Sequence, residues 1–165
     1  MLALLEDMAS VLATKNIENI FFKKFIRTKP SSEIDALIHK HNQIISKQID
    51  CTACANCCKK LEPGVDDAEI VQLAKHANSS PEVFKNNFIL FDGVSCFLKT
   101  KPCMFLKENK CSIYSNRPTA CADYPHLNGI NLKYKSSLWN NYSVCPIVFN
   151  VIENVKEELG FVYAK

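Results

Sequence analysis

The chain has 165 residues, 47% of them hydrophobic and 10% aromatic, with only 4 Gly and 7 Pro; this excludes low-complexity and collagen-like classes and predicts one globular domain over residues 1–165 with a core of its own. Twenty Lys plus Arg against seventeen Asp plus Glu leave a formal charge of +3, too small and too dispersed to predict a nucleic-acid or anionic-membrane partner. Nine cysteines remain to be explained, because a domain of this length needs no staples.

At the start, Met1-Leu2-Ala3-Leu4-Leu5 runs at once into Glu6 and Asp7. There is no positive n-region, no sustained apolar stretch and no small-residue cleavage site, so the expected location is cytoplasmic. No segment approaches the ~18 to 20 continuous apolar residues of a membrane span. In a reducing cytosol, clustered cysteines predict metal ligands or catalytic thiols in place of a disulfide framework, and the odd count agrees.

Leu4, Leu5, Met8, Val11 and Leu12, then Ile17, Ile20, Phe21 and Phe25, predict one or two helices over 1–29. The basic stretch from Phe22 to Lys29 is expected to be a solvated helix face. A second helix is predicted over 31–49, opened by Ser31 or Ser32 and presenting Ile34, Leu37, Ile38, His41 and Ile45 on one face. It leads into a loop of cysteines closed by Pro63-Gly64. Asp66 with Glu69 forms a capping-box pattern that opens a helix over 66–78, and Ser80-Pro81 opens another over 80–91, with Phe84, Phe88 and Phe91 one turn apart. Periodicity is lost from 92 to 139, where Cys103–Leu106 and Cys111–Tyr114 suggest a short hairpin turning at Asn109-Lys110. The last helix is predicted over 144–159, with Ser143 as its cap, Pro146 in its first turn and Gly160 at its end.

Four cysteines fall within eight positions, Cys51, Cys54, Cys57 and Cys58. Cys-x-x-Cys lets two thiolates of one loop approach one ion, as in half a tetrahedral zinc site or a corner of an iron-sulfur cluster. The spacing occurs twice here, as in the ferredoxin run that supplies three corners of a four-iron cluster, and Cys145-Pro146 matches the proline-followed fourth ligand of such runs. Cys121 and Cys145 sit beside Pro118 and Pro146 at predicted helix starts, where the helix dipole favours thiolate. Cys96, between Ser95 and Phe97, is expected to pack as a small hydrophobe. The four histidines, of which only His126 lies near cysteines in sequence, are expected to be ordinary surface or boundary residues. A thioredoxin-like reading needs a strand before the motif, and the radical-SAM spacing fails at Leu61; no phosphate loop or nucleophile elbow is present.

Cys51-x-x-Cys54-x-x-Cys57-Cys58, Cys103-Met104-Phe105-Leu106, Cys111-Ser112-Ile113-Tyr114, Arg117-Pro118-Thr119-Ala120-Cys121 and Tyr124-Pro125 resemble, in order, the CxxCxxCC cysteine-cluster family, described as chelating zinc or iron, whose domain is similar to one carried by flagellin lysine N-methylases. The resemblance covers roughly 51–145. It implies metal binding by Cys51, Cys54, Cys57, Cys58, Cys103, Cys111, Cys121 and Cys145. Family members usually carry an arginine after the cysteine matching Cys121; this chain has Ala122.

The expected fold is therefore mainly α, a small helical domain around an irregular cysteine-rich metal-binding segment. The expected function is that of a metal-binding protein holding zinc or an iron-sulfur cluster, 4Fe-4S among the options. The alternatives are a cluster-dependent lysine N-methylase-like enzyme, which rests on family analogy, and a thiol-based metal chaperone or redox sensor, which needs exposed, exchangeable thiolates.

Overall fold

The computed structural model describes residues 4–164; the expectations that fall on Met1, Leu2 and Ala3 lie outside them. In chain order the helices are α1 (Leu5–Arg27), α2 (Ser31–Ile45), α3 (Cys51–Cys54), α4 (Asn56–Lys60), α5 (Asp67–His76), α6 (Pro81–Phe88), α7 (Thr119–Ala122), α8 (Ser136–Tyr142) and α9 (Pro146–Glu158). The strands are β1 (Gly64–Val65), β2 (Ile89–Phe91), β3 (Cys96–Leu98), β4 (Leu106–Lys107) and β5 (Lys110–Cys111). The protein is mainly α, with little sheet. Its backbone divides into two compact units: one runs to Asp50 and resumes at Pro125, the other is Cys51–Tyr124.

In the first unit, α2 lies along α9. Ile34, Ile38 and Ile45 of α2 are buried, as are Val148, Val151, Ile152 and Val155 of α9, the spacing that puts one apolar stripe on each helix. Lys156 sits inside this core at 4% exposure. Its ammonium donates to Glu18 at 2.8 Å and to Glu153 at 2.6 Å, Lys15 pairs with both carboxylates, and the Tyr142 hydroxyl donates to Glu153 at 2.8 Å. Two cations and two anions close a neutral network, the condition under which buried charge is tolerated. Asp35 uses both carboxylate oxygens on the N–H groups of Asn131 and Leu132, fixing a turn in which Asn131 has φ 55.

In the second unit, Asp66 and Glu69 form the expected capping box at the start of α5, and the Ser80 hydroxyl caps α6 with Pro81 at its first position. The three strands pair antiparallel in the order β1-β3-β2. Val65, Ile70, Leu73, Ala74, Phe84, Ile89, Leu98, Phe105 and Ile113 form the core under them.

The structure corrects several expectations of detail. The helix predicted over 80–91 stops at Phe88, and Ile89–Phe91 pair with β3; Phe91 points outward at 63% exposure. The predicted 31–49 helix ends at Ile45. The 92–139 segment is less irregular than expected, holding β3, the β4–β5 hairpin, α7 and most of α8. That hairpin turns at Glu108-Asn109, not Asn109-Lys110, with φ of 48° and 62° and Lys107 opposite Lys110, the backbone of the two-residue turn that matches strand twist. Ser143 closes α8 instead of opening α9, whose N-cap is Cys145.

Candidate metal centre

The cysteine run is not an open loop. Cys51–Cys54 make one helical turn and Asn56–Lys60 another, separated by Ala55 in the left-handed region at φ 49. That break keeps α3 and α4 from continuing as one helix, and Cys57 and Cys58 then occupy successive positions on α4. Cys51 is exposed; Cys54, Cys57 and Cys58 are half-buried.

Three distant segments of the same unit meet this run. The N–H of Cys103 donates to the carbonyl of Cys58 at 2.7 Å, stitching the Cys-Met-Phe-Leu turn to α4. The Thr100 hydroxyl accepts from the Met104 N–H at 3.1 Å, and the N–H groups of Phe105 and Leu106 act on the Cys103 sulfur. Cys111 follows in β5, opposite Leu106, and α3 packs on β5. Cys121 lies in α7, whose backbone closes on Pro118.

The thiols of this region influence one another electrostatically. Burial pushes the Cys121 thiol up to about 12, with the neighbouring Cys58, Cys103 and Cys111 adding to the shift and Arg117 opposing it. Burial also raises Cys103, again helped by Cys58 and Cys111. Cys58 is raised strongly, first by the hydrogen bond it donates to Cys57 and then by burial. Thiolates crowded in a partly dry site repel each other, so Cys58, Cys103 and Cys121 hold their protons more tightly than a free thiol until a cation is there to offset the charge.

The structure thus gathers Cys58, Cys103, Cys111 and Cys121, with Cys57 attached through Cys58. Cys145 belongs to the other unit, where it is buried at the N-cap of α9. None of the nine cysteines forms a disulfide. Cys96 packs on the apolar core, as do Cys103 and Cys111, and it also lines a cleft of about 900 Å³ with Lys85, Glu69, Phe91 and Thr119. Among the described residues, no three His, Cys, Asp or Glu side chains already stand around one point as a bound ion would require. The donor chemistry nonetheless fits: thiolate sulfur is what zinc and iron-sulfur clusters take, and the thiols are collected though not closed on a centre. His39, His41 and His76 make hydrogen bonds or ion pairs to Gly129, Glu158 and Asn116.

Two residues named for other reasons in the sequence take roles at this centre that the sequence did not assign them. Arg117 donates to the Tyr114 carbonyl at 2.7 Å and stacks on the Tyr114 ring at 3.8 Å, which holds its charge beside Cys121. Glu69, expected only as a capping residue, also accepts the N–H of Thr119 at 2.7 Å. The first has a local signal in its Arg-Pro pair; the second spans fifty positions of sequence and has none.

Compared with protein families, the chain matches the model described as "CxxCxxCC: Putative zinc- or iron-chelating domain" over residues 50–146. No curated protein and no solved structure matches the chain.

Proposed function

The chain belongs to the CxxCxxCC family, and from that premise we propose that it holds zinc or an iron-sulfur cluster through Cys51, Cys54, Cys57, Cys58, Cys103, Cys111 and Cys121; the matched span also contains Cys145. The family is described as chelating zinc or iron; the ligand set and the choice of metal go beyond that description. The observation that carries it is the bond from the Cys103 N–H to the Cys58 carbonyl at 2.7 Å, which joins the Cys-Met-Phe-Leu turn to α4; the packing of α3 on β5 and the influence of Cys58, Cys103 and Cys111 on the Cys121 thiol support it with donors from β5 and α7.

When bound, zinc would supply a structural cross-link and an iron-sulfur cluster a one-electron redox centre. The chain's own residues do the rest. Ala55 turns the run so that α4 presents Cys57 and Cys58. The Cys58 carbonyl anchors Cys103, and the N–H groups of Phe105 and Leu106 stabilise the negative charge that its sulfur carries as a ligand. Arg117 places a positive charge beside Cys121, favouring a thiolate there. Binding releases the protons these thiols hold. We further read the protein as cytoplasmic and without a nucleic-acid partner.

Anaerobic purification followed by metal analysis and visible absorption tests this reading. Stoichiometric zinc in a colourless protein, or iron with sulfide in a brown one, supports it. A full-length folded protein that takes up neither metal, even after reconstitution, contradicts it.

A further inference from the structure

Cys121 sits on a helix of one turn, Thr119–Ala122, too short to hold its own position by its hydrogen bonds. Something outside that turn must fix it. The N–H of Thr119, at the start of the turn, donates to Oε1 of Glu69 at 2.7 Å. The other oxygen of the same carboxylate, Oε2, accepts the N–H of Asp66 at 3.0 Å, and the N–H of Glu69 donates to Oδ1 of Asp66 at 2.7 Å. One carboxylate is thus divided between the start of α5 and the start of α7. The α5 end is rigid by comparison, since Ile70, Leu73 and Ala74 are buried in the core of the unit.

We propose that Glu69 is the positioning residue for Cys121, tying the one-turn helix that bears this thiol to the core-anchored start of α5. The inference rests on the reading of Cys121 as a member of the thiol cluster, and it assigns that member's placement to a residue outside the cysteine motifs. An ordinary capping residue needs only one oxygen on its own helix. Glu69 uses its second on another segment, and both bonds are charge-assisted. Burial pushes the Glu69 carboxyl up, yet the N–H groups of Thr119 and Asp66 and the Thr119 hydroxyl outweigh it and hold the group below the usual carboxylate range.

Glu69→Gln separates the two uses, because an amide offers one acceptor oxygen where both oxygens now accept; its NH₂ then faces a donor N–H. The α5 cap, in which the Glu69 N–H donates to the Asp66 carboxylate, does not use the Glu69 side chain and survives. Thr119→Pro removes the donated N–H from the other side, at a first helical position where proline is tolerated. Asp66→Ala is the control that weakens α5 without touching the link to Thr119. The readout is the iodoacetamide alkylation rate of each cysteine in the folded, chelator-stripped full chain, resolved by peptide mass mapping. Loss of a charge-assisted hydrogen bond should raise the Cys121 rate about tenfold in Glu69→Gln and in Thr119→Pro, with Cys103 and Cys111 changing less than about twofold and Asp66→Ala leaving Cys121 within the same margin. The proposal is overturned if Cys121 is unchanged in both link variants, if all three cysteines accelerate together, or if Asp66→Ala reproduces the effect. Since this readout is taken without metal, it stands or falls separately from zinc or iron content measured on the same preparations.

Discussion

The backbone N–H of Cys103 meets the carbonyl of Cys58 at 2.7 Å, so two cysteines forty-five positions apart are joined by main chain before any ligand joins their sulfurs. This bond makes the centre a property of the fold as well as of the thiols. Serine at either position keeps the backbone bond while removing a soft donor. Cys58→Ser and Cys103→Ser are therefore expected to fold, with stoichiometric metal lost from both; circular dichroism and metal analysis on the same samples check this. Full metal content in either variant would remove that residue from the ligand set.

Replacing Cys51 and Cys54 together with serine should also abolish stoichiometric metal and lower solubility. The run supplies the closest-spaced donors of the chain, and structural metal binding is at the same time folding energy. Retention of full metal content by the double variant would place the site elsewhere.

Lys156 is expected to be the most sensitive charged position of the first unit. Its ammonium is bound by Glu18 and Glu153 in a core where its side chain is 5% exposed. Lys156→Ala leaves two carboxylates sharing Lys15 alone and should cost about 3 kcal/mol in denaturant unfolding of the metal-free protein. A loss below about 1 kcal/mol, the range of exposed pairs, would show that water already screens the network.

Acid should weaken both units through two carboxylates. Burial raises Glu18, but Lys156 and Lys15 outweigh it and hold its pKa below the ordinary 4.5; Glu69 is lowered as described above. A carboxyl depressed in the folded state contributes stability that is complete above its unfolded pKa and lost as pH falls through the folded one. Stability of the metal-free protein should therefore be insensitive to these groups above about pH 5 and decline below it. Glu69→Gln should flatten part of that decline. An identical acid limb in the variant would show that the Glu69 links are absent in solution.

Much of the scaffold was legible because its signals are local. Asp66 with Glu69, Ser80 with Pro81, Pro146 and Gly160 mark helix ends through backbone groups a few residues away, and each falls where expected. The run from Cys51 to Cys58 was legible by density, and the motifs at Cys103, Cys111 and Cys121 through the family resemblance. What was missed depends on distant partners: Phe84, Phe88 and Phe91 fit a helix face, yet Phe91 is drawn into β2 by pairing with Cys96. Glu69 carries no mark of Thr119, and Ser143 suits the end of α8 as well as the start of α9. The turn at Glu108-Asn109 was displaced by one residue because glutamate is not a usual choice at positive φ. Glu108→Asn should accordingly add about 0.5 kcal/mol of stability, measured by denaturant unfolding; a loss would mean that the turn is not left-handed there.

The most direct measurement of the central claim is X-ray absorption at the metal edge of the anaerobically purified chain. The account predicts a first shell of sulfur at about 2.3 Å, four per zinc ion or the corresponding mixed sulfide and thiolate shell of an iron-sulfur cluster, reduced in sulfur by Cys58→Ser or Cys103→Ser. A shell dominated by oxygen or nitrogen, or a sulfur shell that neither substitution alters, would contradict it.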